Sequence, residues 1–354
     1  MTDDDQLLGL SEVADLLGAS RQTVGNWRQR REGFPRPVAE LKSGPIWQRS
    51  AIVEWAKATG ATVVEPVSDP PASGRQRAGQ TVALMNMKGG VGKSTLTANL
   101  GWYCAVRKDL RVLLVDLDPQ FNLSQYVMGT KAYEEHLDAK KGTVLTVLEQ
   151  GSKADAHGGS DVDPENVVAQ IQAWDDGSGI DLLPSSLRLS FTLKNPTGKE
   201  HRLENFLTDL RSSYDLILID CAPTESILTT AAYLASDSIL IPVKPEFLST
   251  IGLPLVVSSL ADFKENYRQT VDVLGIVFNA TMDKIEHDRS RSFVRKIANQ
   301  EDWYVFSNEV SYSDSYPKGS RIGKPIFLTD YARETKIADF EAVAEEFYAR
   351  LTHE

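Results

Sequence analysis

Two styles of hydrophobic patterning divide this chain. Up to about residue 60, apolar positions recur at helical spacing. Leu10, Val13, Ala14 and Leu17 follow at three- and four-residue steps, with Ser11 placed as an N-cap. Gly18-Ala19-Ser20 breaks the pattern, and Ser20 can cap a second helix, 21–31, with Val24 and Trp27 on its inner face. Gly33-Phe-Pro-Arg-Pro37 follows, then a short hairpin around Lys42-Ser-Gly-Pro45 that ends at Ile46-Trp47, then a third helix, 50–58. Helix, Gly-containing turn and helix make a helix-turn-helix candidate.

From residue 81 the style changes. Continuous Val/Ile/Leu runs at 81–87, 111–117, 180–183, 215–220, 238–243 and 272–279 alternate with helical stretches. Unbroken apolar runs mark strands buried on both faces, so the expected fold is α/β, a mostly parallel sheet sandwiched by helices. Between the two styles, 61–80 is rich in Pro, Gly, Ser and Ala and has no apolar period, as a linker does. The expected organisation is a DNA-reading unit at 1–60, a linker at 61–80 and the α/β unit at 81–354. Residues 150–165 are expected to form an exposed polar loop.

Composition narrows the class. The chain has no apolar run near the ~18 residues of a membrane span. Its start, Met-Thr-Asp-Asp-Asp, is acidic where a secretory signal is basic and then apolar. The two cysteines, Cys104 and Cys221, lie in apolar segments, as reduced core residues of a cytosolic protein would. A net charge of −11 argues against a dedicated nucleic-acid binder, yet residues 21–49 carry seven Arg or Lys against two Glu.

The candidate chemistry begins where the strand 82–86 runs into Met87-Lys-Gly-Gly-Val-Gly-Lys-Ser-Thr95 and then a helix, 96–106. Strand, Gly-rich loop and helix N-terminus form a phosphate cradle. Gly89, Gly90, Val91, Gly92 and Thr95 supply backbone N–H groups, Lys93 reaches the β/γ-phosphates, and the Ser94 hydroxyl binds Mg²⁺. The strict pattern has Gly where this chain has Met87; here a second lysine, Lys88, follows instead. Two further strands end in Asp. One continues Asp116-Leu-Asp118-Pro-Gln120 and the other Asp220-Cys-Ala-Pro223. Strand-end carboxylates lie where parallel sheets bind ligands, so Asp116 and Asp220 are metal candidates and Asp118 a candidate for positioning the attacking water.

Together these motifs resemble the ParA family of partition ATPases, of the deviant Walker A class, over about residues 81–351. KGGVGKST, VLLVDLDPQFNLS (112–124), IDLLPSS (180–186), YDLILIDCAP (214–223) and DSILIPVKPE (237–246) occur in family order. The resemblance implies ATP and Mg²⁺ bound between the protomers of a homodimer, with Lys88 as the signature lysine crossing to the partner's nucleotide. It implies Lys93 and Asp118 as the other catalytic groups. Asn279 resembles a base-contacting Asn of related ATPases, and a strand-end cap is an equal alternative. Slow hydrolysis of ATP to ADP and phosphate, stimulated by a ParB-like centromere-binding protein, is further implied, as is sequence-independent DNA binding on the nucleoid in the cytoplasm. Arg289, Arg291, Arg295 and Lys296, and Lys318, Arg321 and Lys324, are the basic clusters that could serve it.

The N-terminal stretch 10–28, with Phe34-Pro-Arg-Pro37 and 44–50, resembles the winged helix-turn-helix of MerR-like and excisionase-like proteins. That likeness makes Arg21, Gln22, Thr23, Asn26 and Arg28 base or phosphate contacts, with Arg36, Lys42 and Arg49 on the backbone. The function expected is therefore DNA partitioning, with autoregulation through the N-terminal unit. Alternatives are an ATP-controlled transcriptional regulator and a positioner of another cargo. A membrane-positioning ATPase would need a basic amphipathic C-terminus, and 338–351 is acidic. A nitrogenase-iron-protein-like reductase would need cysteines placed otherwise than Cys104 and Cys221.

Overall fold

The computed structural model describes residues 7–17, 23–24, 27–28, 33–41, 44–59, 79–149, 162–194, 197–246 and 252–352. The chain divides into two units, residues 1–76 with 173–178 and residues 77–172 with 179–354.

In the first unit, β1 (Leu7–Leu8), α1 (Leu10–Leu16), β2 (Ala39–Leu41), β3 (Gly44–Gln48) and α2 (Arg49–Thr59) are formed. The strands make an antiparallel sheet in the order β1-β3-β2. β1 was not anticipated; at two residues it has no period to detect. The first helix already includes Ser11, so Leu10 opens it and Ser11 does not cap it from outside. Of the expected second helix, residues 23–24 and 27–28 are helical; Gly18 to Ser20, Arg21, Gln22 and Asn26 lie outside the described residues, as do Lys42 and 61–78 of the linker. The core is aromatic. Trp47 is fully buried and its Nε1 donates to the Pro35 carbonyl at 2.9 Å. Phe34 lies edge-on to Trp47 and Trp55, at 6.1 and 4.8 Å between ring centroids, and Trp27 packs on Trp55 at 5.4 Å.

The second unit is built on an eight-stranded sheet, in the order β11-β10-β9-β4-β8-β5-β7-β6. In chain order its main elements are β4 (Gln80–Leu84), α3 (Lys93–Arg107), β5 (Arg111–Leu117), α4 (Asn122–Met128), α5 (Thr130–Asp138) and α6 (Val144–Glu149). Then come β6 (Ala169–Ala173), β7 (Gly179–Leu183), α7 (Arg202–Leu210), β8 (Leu216–Cys221), α8 (Ile227–Ala235) and β9 (Ser238–Val243). The chain closes with α9 (Gly252–Tyr267), β10 (Asp272–Thr281), α10 (Ile285–Gln300), β11 (Val310–Ser311), α11 (Ser315–Arg321) and α12 (Glu334–Thr352). From β11 through β7 every pairing is parallel. β8 is buried along its whole length and β5 at all but its first residue, as continuous apolar runs require.

The edge strands β6 and β11 escaped the sequence pattern. β6 is Ala-Gln-Ile-Gln-Ala, largely exposed, and β11 has two residues. In the stretch expected as loop, 150–161 lies outside the described residues, but Asp163 caps a helical turn, Pro164–Val167, and Val162 and Val167 are buried.

Helices cover the sheet by amphipathic stripes. α7 buries Leu203, Phe206, Leu207 and Leu210 at i, i+3, i+4 and i+7. α12 buries Phe340, Val343, Ala344, Phe347 and Leu351, while its acidic outer face meets α3: Arg107 pairs with Glu341 at 3.0 Å and Lys108 with Glu345 at 2.7 Å. The acidic C-terminal helix thus has basic partners within its own unit. Among the described residues, no helix is long and apolar enough to cross a membrane.

Candidate functional site

The central strand β4 lies between β8 and β9, so its C-terminal end opens at the middle of the sheet. The chain leaves it through Asn86, which is fully buried. The Asn86 amide donates to the Pro242 carbonyl at 2.8 Å, and its oxygen accepts the Lys88 N–H at 2.9 Å. One side chain therefore fixes the root of the loop to β9. The loop turns through Gly92 at φ +88°, where a Cβ would stand 2.1 Å from the Asn279 amide nitrogen. α3 begins directly after it, and no side chain caps that end. Its first N–H groups are left for an anion, with the helix dipole behind them.

Lys93 is 6% exposed, and its ammonium donates to the carbonyls of Asn86 at 3.2 Å and Lys88 at 3.4 Å. Burial lowers its pKa; Asp220 and Asp118 oppose that shift. Lys88 is exposed. Two lysines five residues apart thus have opposite settings, one buried in the cradle and one exposed at its start. A cleft of about 470 Å³ runs along Gly89, Gly90, Gly92 and Lys93 to Thr95, past Asp118, Gln120 and Asn122, to Ser320 and Arg321.

The three aspartates differ. Asp116 is fully buried; one oxygen accepts the Ser124 N–H at 2.8 Å and hydroxyl at 2.6 Å, the other the Asp118 N–H at 3.2 Å. Burial pushes its carboxyl up to about 7, against those hydrogen bonds. Asp118 is 6% exposed and accepts the Gln120 N–H at 2.8 Å. Asp220 is fully buried, and neither of its oxygens has a hydrogen bond from the described residues. Burial raises its carboxyl well above the usual range, and Asp116 adds to that shift; the nearby Ser94 hydroxyl and Lys93 ammonium oppose it. A buried carboxyl that is left without a well-formed hydrogen bond, beside the Ser94 hydroxyl, has oxygens to offer a cation. Ser94 and Asp220 could thus hold a metal, whereas the oxygens of Asp116 are already taken by its own loop.

Several sequence expectations change here. Asn279 donates its amide to the Val91 carbonyl at 2.8 Å and so braces the phosphate loop. Arg291 is not a free basic group: its guanidinium grips Glu309 through two nitrogens at 2.7–3.1 Å and also Asp288 at 2.9 Å. Arg295 lies with its guanidinium carbon 5.6 Å from the centroid of the Phe278 ring, and Lys318 lies 5.7 Å from that of Tyr331. Arg289, Lys296 and Lys324 are exposed. Arg321 lines the phosphate cleft and so is set apart from Arg289 and Lys296 on α10. In the first unit Arg28 and Arg36 are exposed, and Thr23 and Arg49 are half-buried. Asn86, Ser124 and Asn99 were not anticipated; each is a lone polar letter inside a motif or helix, with no spacing to mark it.

Residues 79–273 match the AAA domain family. An uncharacterised protein of Methanocaldococcus jannaschii is 31% identical over 270 residues, covering 75% of this chain and 96% of its own. The chromosome-partitioning ATPase Soj of Treponema pallidum is 28% identical over 275 residues, covering 77% of this chain and 98% of its own. Among solved structures, a Cyanothece McdA variant in complex with ATP is similar at a TM-score of 0.64 and 19% identity, over 77% of this chain and 97% of that one. At that identity the likeness is one of fold.

Proposed function

Because this chain belongs to the AAA domain family and is a homologue of the Soj- and ParA-type partition ATPases, we propose that it is a partition ATPase, in which ATP controls dimerisation and the grip on DNA. One observation carries this reading. An uncapped helix N-terminus, a buried ammonium and a buried, unpartnered carboxylate converge at the ends of two adjacent strands.

In this reading the N–H groups of residues 89 to 95 and the Lys93 ammonium bind the β/γ-phosphates. Ser94 and Asp220 hold Mg²⁺, which supplies charge neutralisation at the phosphates. Asp118 positions the attacking water. Asp116 shapes the loop on which Asp118 stands. Lys88 reaches a second copy, so that the charge around the phosphates is balanced only in the homodimer. Turnover is slow, because Asp118 acts without an added activator; a ParB-like protein supplies the stimulus.

Arg289, Arg295 and Lys296 on α10 give the ATP-bound dimer salt-sensitive, sequence-independent hold on DNA, and so a place on the nucleoid. The first unit acts as a winged helix-turn-helix reader of a specific site, through Arg21, Gln22, Thr23, Asn26 and Arg28, with Arg36 and Arg49 at the phosphates. Its three-stranded antiparallel sheet and exposed arginines support that assignment. They also favour a second reading, an ATP-controlled transcriptional regulator.

Lys93→Ala tests the proposal. Calorimetric titration with Mg·ATP is expected to show affinity reduced by about a hundredfold or more, and the ATP-dependent shift of random-sequence DNA lost. An ATP-dependent shift equal to wild type refutes it.

A further inference from the structure

Arg321 belongs to a differently built place from the other basic residues. It ends α11, and with Ser320 it lines the same cleft as Lys93 and Ser94. It is exposed and makes no ion pair or hydrogen bond among the described residues. The chain that follows it, by contrast, is anchored. The Asn99 amide, on α3, donates to the Tyr126 hydroxyl at 2.9 Å, and its oxygen accepts the Ile326 N–H at 2.8 Å. The Tyr126 hydroxyl, on α4, donates to the Lys324 carbonyl at 3.2 Å. Gly319 approaches this segment so closely that a Cβ there would stand 2.6 Å from the Lys324 oxygen. The phosphate-loop helix and α4 thus hold the chain just after Arg321, and Gly319 packs against that held segment, while the Arg321 side chain is left unengaged.

The charge of the site asks for such a group. Lys93 stands near two carboxyl groups, Asp118 and Asp220, and Asp116 neighbours Asp220. A triphosphate entering this partly desolvated cleft brings several negative charges, which the single buried ammonium of Lys93 offsets only in part. A guanidinium fork matches phosphate oxygens in two-pronged geometry, which an ammonium does not.

Resting on the assignment of this cleft to ATP, we propose that Arg321 is a nucleotide-contacting residue. It binds the phosphates from α11, and the Asn99–Tyr126–Lys324 link is the positioning device that holds it there. Its role is to grip the nucleotide, and it takes no part in the DNA surface.

The experiment uses the full-length protein and Mg·ATPγS, with affinity read by calorimetry. Arg321→Ala is expected to weaken binding about tenfold or more, and Arg321→Lys to fall between it and wild type. Tyr126→Phe removes the hydroxyl link; it is expected to lose part of the same affinity, and to add little on the Arg321→Ala background. Affinity within twofold of wild type in Arg321→Ala overturns the proposal, whether or not DNA binding falls. A Tyr126→Phe effect that adds fully to that of Arg321→Ala overturns the positioning link. Lys93→Ala separates the two levels: if it abolishes binding while Arg321→Ala does not weaken it, only the role of Arg321 falls. If neither changes affinity, the assignment of the cleft falls with it.

Discussion

Asp116 and Asp220 end adjacent strands and are register partners across the β5–β8 pairing. Both are fully buried at the same edge of the same sheet. Yet Asp116 accepts three hydrogen bonds from the loop that follows it, and Asp220 accepts none from the described residues. Burial raises the pKa of both. The contrast separates two uses of one position. After β5 the chain turns back on its own carboxylate, so Asp116 builds the loop. After β8 the chain leaves through Ala222 and Pro223, and both oxygens of Asp220 stay without a hydrogen bond among the described residues. Ser124 extends the first arrangement. Its hydroxyl also accepts the Ser185 N–H at 2.9 Å, and the Ser185 hydroxyl donates to the Asp118 carbonyl at 2.8 Å. The water-positioning candidate is thus held by the loop that Asp116 organises.

The strongest test of this contrast is Asp220→Asn. ATP hydrolysis in Mg²⁺ is expected to fall by roughly a hundredfold, as loss of a metal-holding carboxylate does. The thermal midpoint of the nucleotide-free protein should hold or rise above neutral pH, because an amide has no proton to lose into a site where burial disfavours the charged carboxylate. Near-normal turnover would place the metal elsewhere. Asp116→Ala should show the opposite balance. The N–H groups of Ser124 and Asp118 lose a buried acceptor, so urea denaturation is expected to report a loss of about 2–3 kcal/mol. If it leaves stability unchanged and abolishes turnover alone, the two aspartates have been assigned the wrong way round.

A smaller effect follows from pH. In the folded protein the Asp116 carboxyl titrates at about 7 and that of Asp220 is raised well above its ordinary value. The folded state therefore holds protons that the unfolded chain releases at ordinary carboxylate pH. Stability of the nucleotide-free protein must fall as pH rises through about 7 and grow as pH drops below it. Differential scanning fluorimetry between pH 6 and 8 should show the midpoint falling by a few degrees. In Asp220→Asn the slope should be shallower. A midpoint that climbs with pH over this range contradicts the raised carboxyls.

The smallest effect is expected at Phe121, in the loop after β5. It sits at φ +48°, a strained conformation for a residue with a side chain, and its ring stacks on Tyr133 at 5.3 Å. Phe121→Gly relieves the strain and loses the stack, so the net change by urea denaturation should be within about 1 kcal/mol. A larger loss would make the stack a principal support of the Asp118 loop.

Much of the fold was legible in the chain. The strands β4, β5, β7, β8, β9 and β10 are mainly apolar runs rich in Val, Ile and Leu, a local signal that burial on both faces requires. The edge strands were not legible, because an edge makes few demands on its residues; β6 alternates Gln with apolar letters and is mostly exposed. The phosphate loop was legible because the glycines that shape its backbone and the lysine and serine that carry its side-chain chemistry fall within eight residues of one another. The basic residues were less so. Arg289, Arg291 and Arg321 look alike as letters, yet Arg291 is held by Glu309, eighteen residues away, and Arg321 is carried to the cleft by contacts from Asn99 and Tyr126.

By itself, the sequence determined that a Gly-rich loop joins a buried strand to a helix, and that two further apolar strands run up to an aspartate. Both are properties of short stretches whose backbone and burial their own residues dictate. Which aspartate keeps its oxygens open, that Asn279 braces the loop, and that Arg321 meets the cleft were decided only in three dimensions. The reason is physical: whether a polar side chain is satisfied depends on which donors the rest of the chain brings within about 3 Å, and those donors come from elements far apart in sequence.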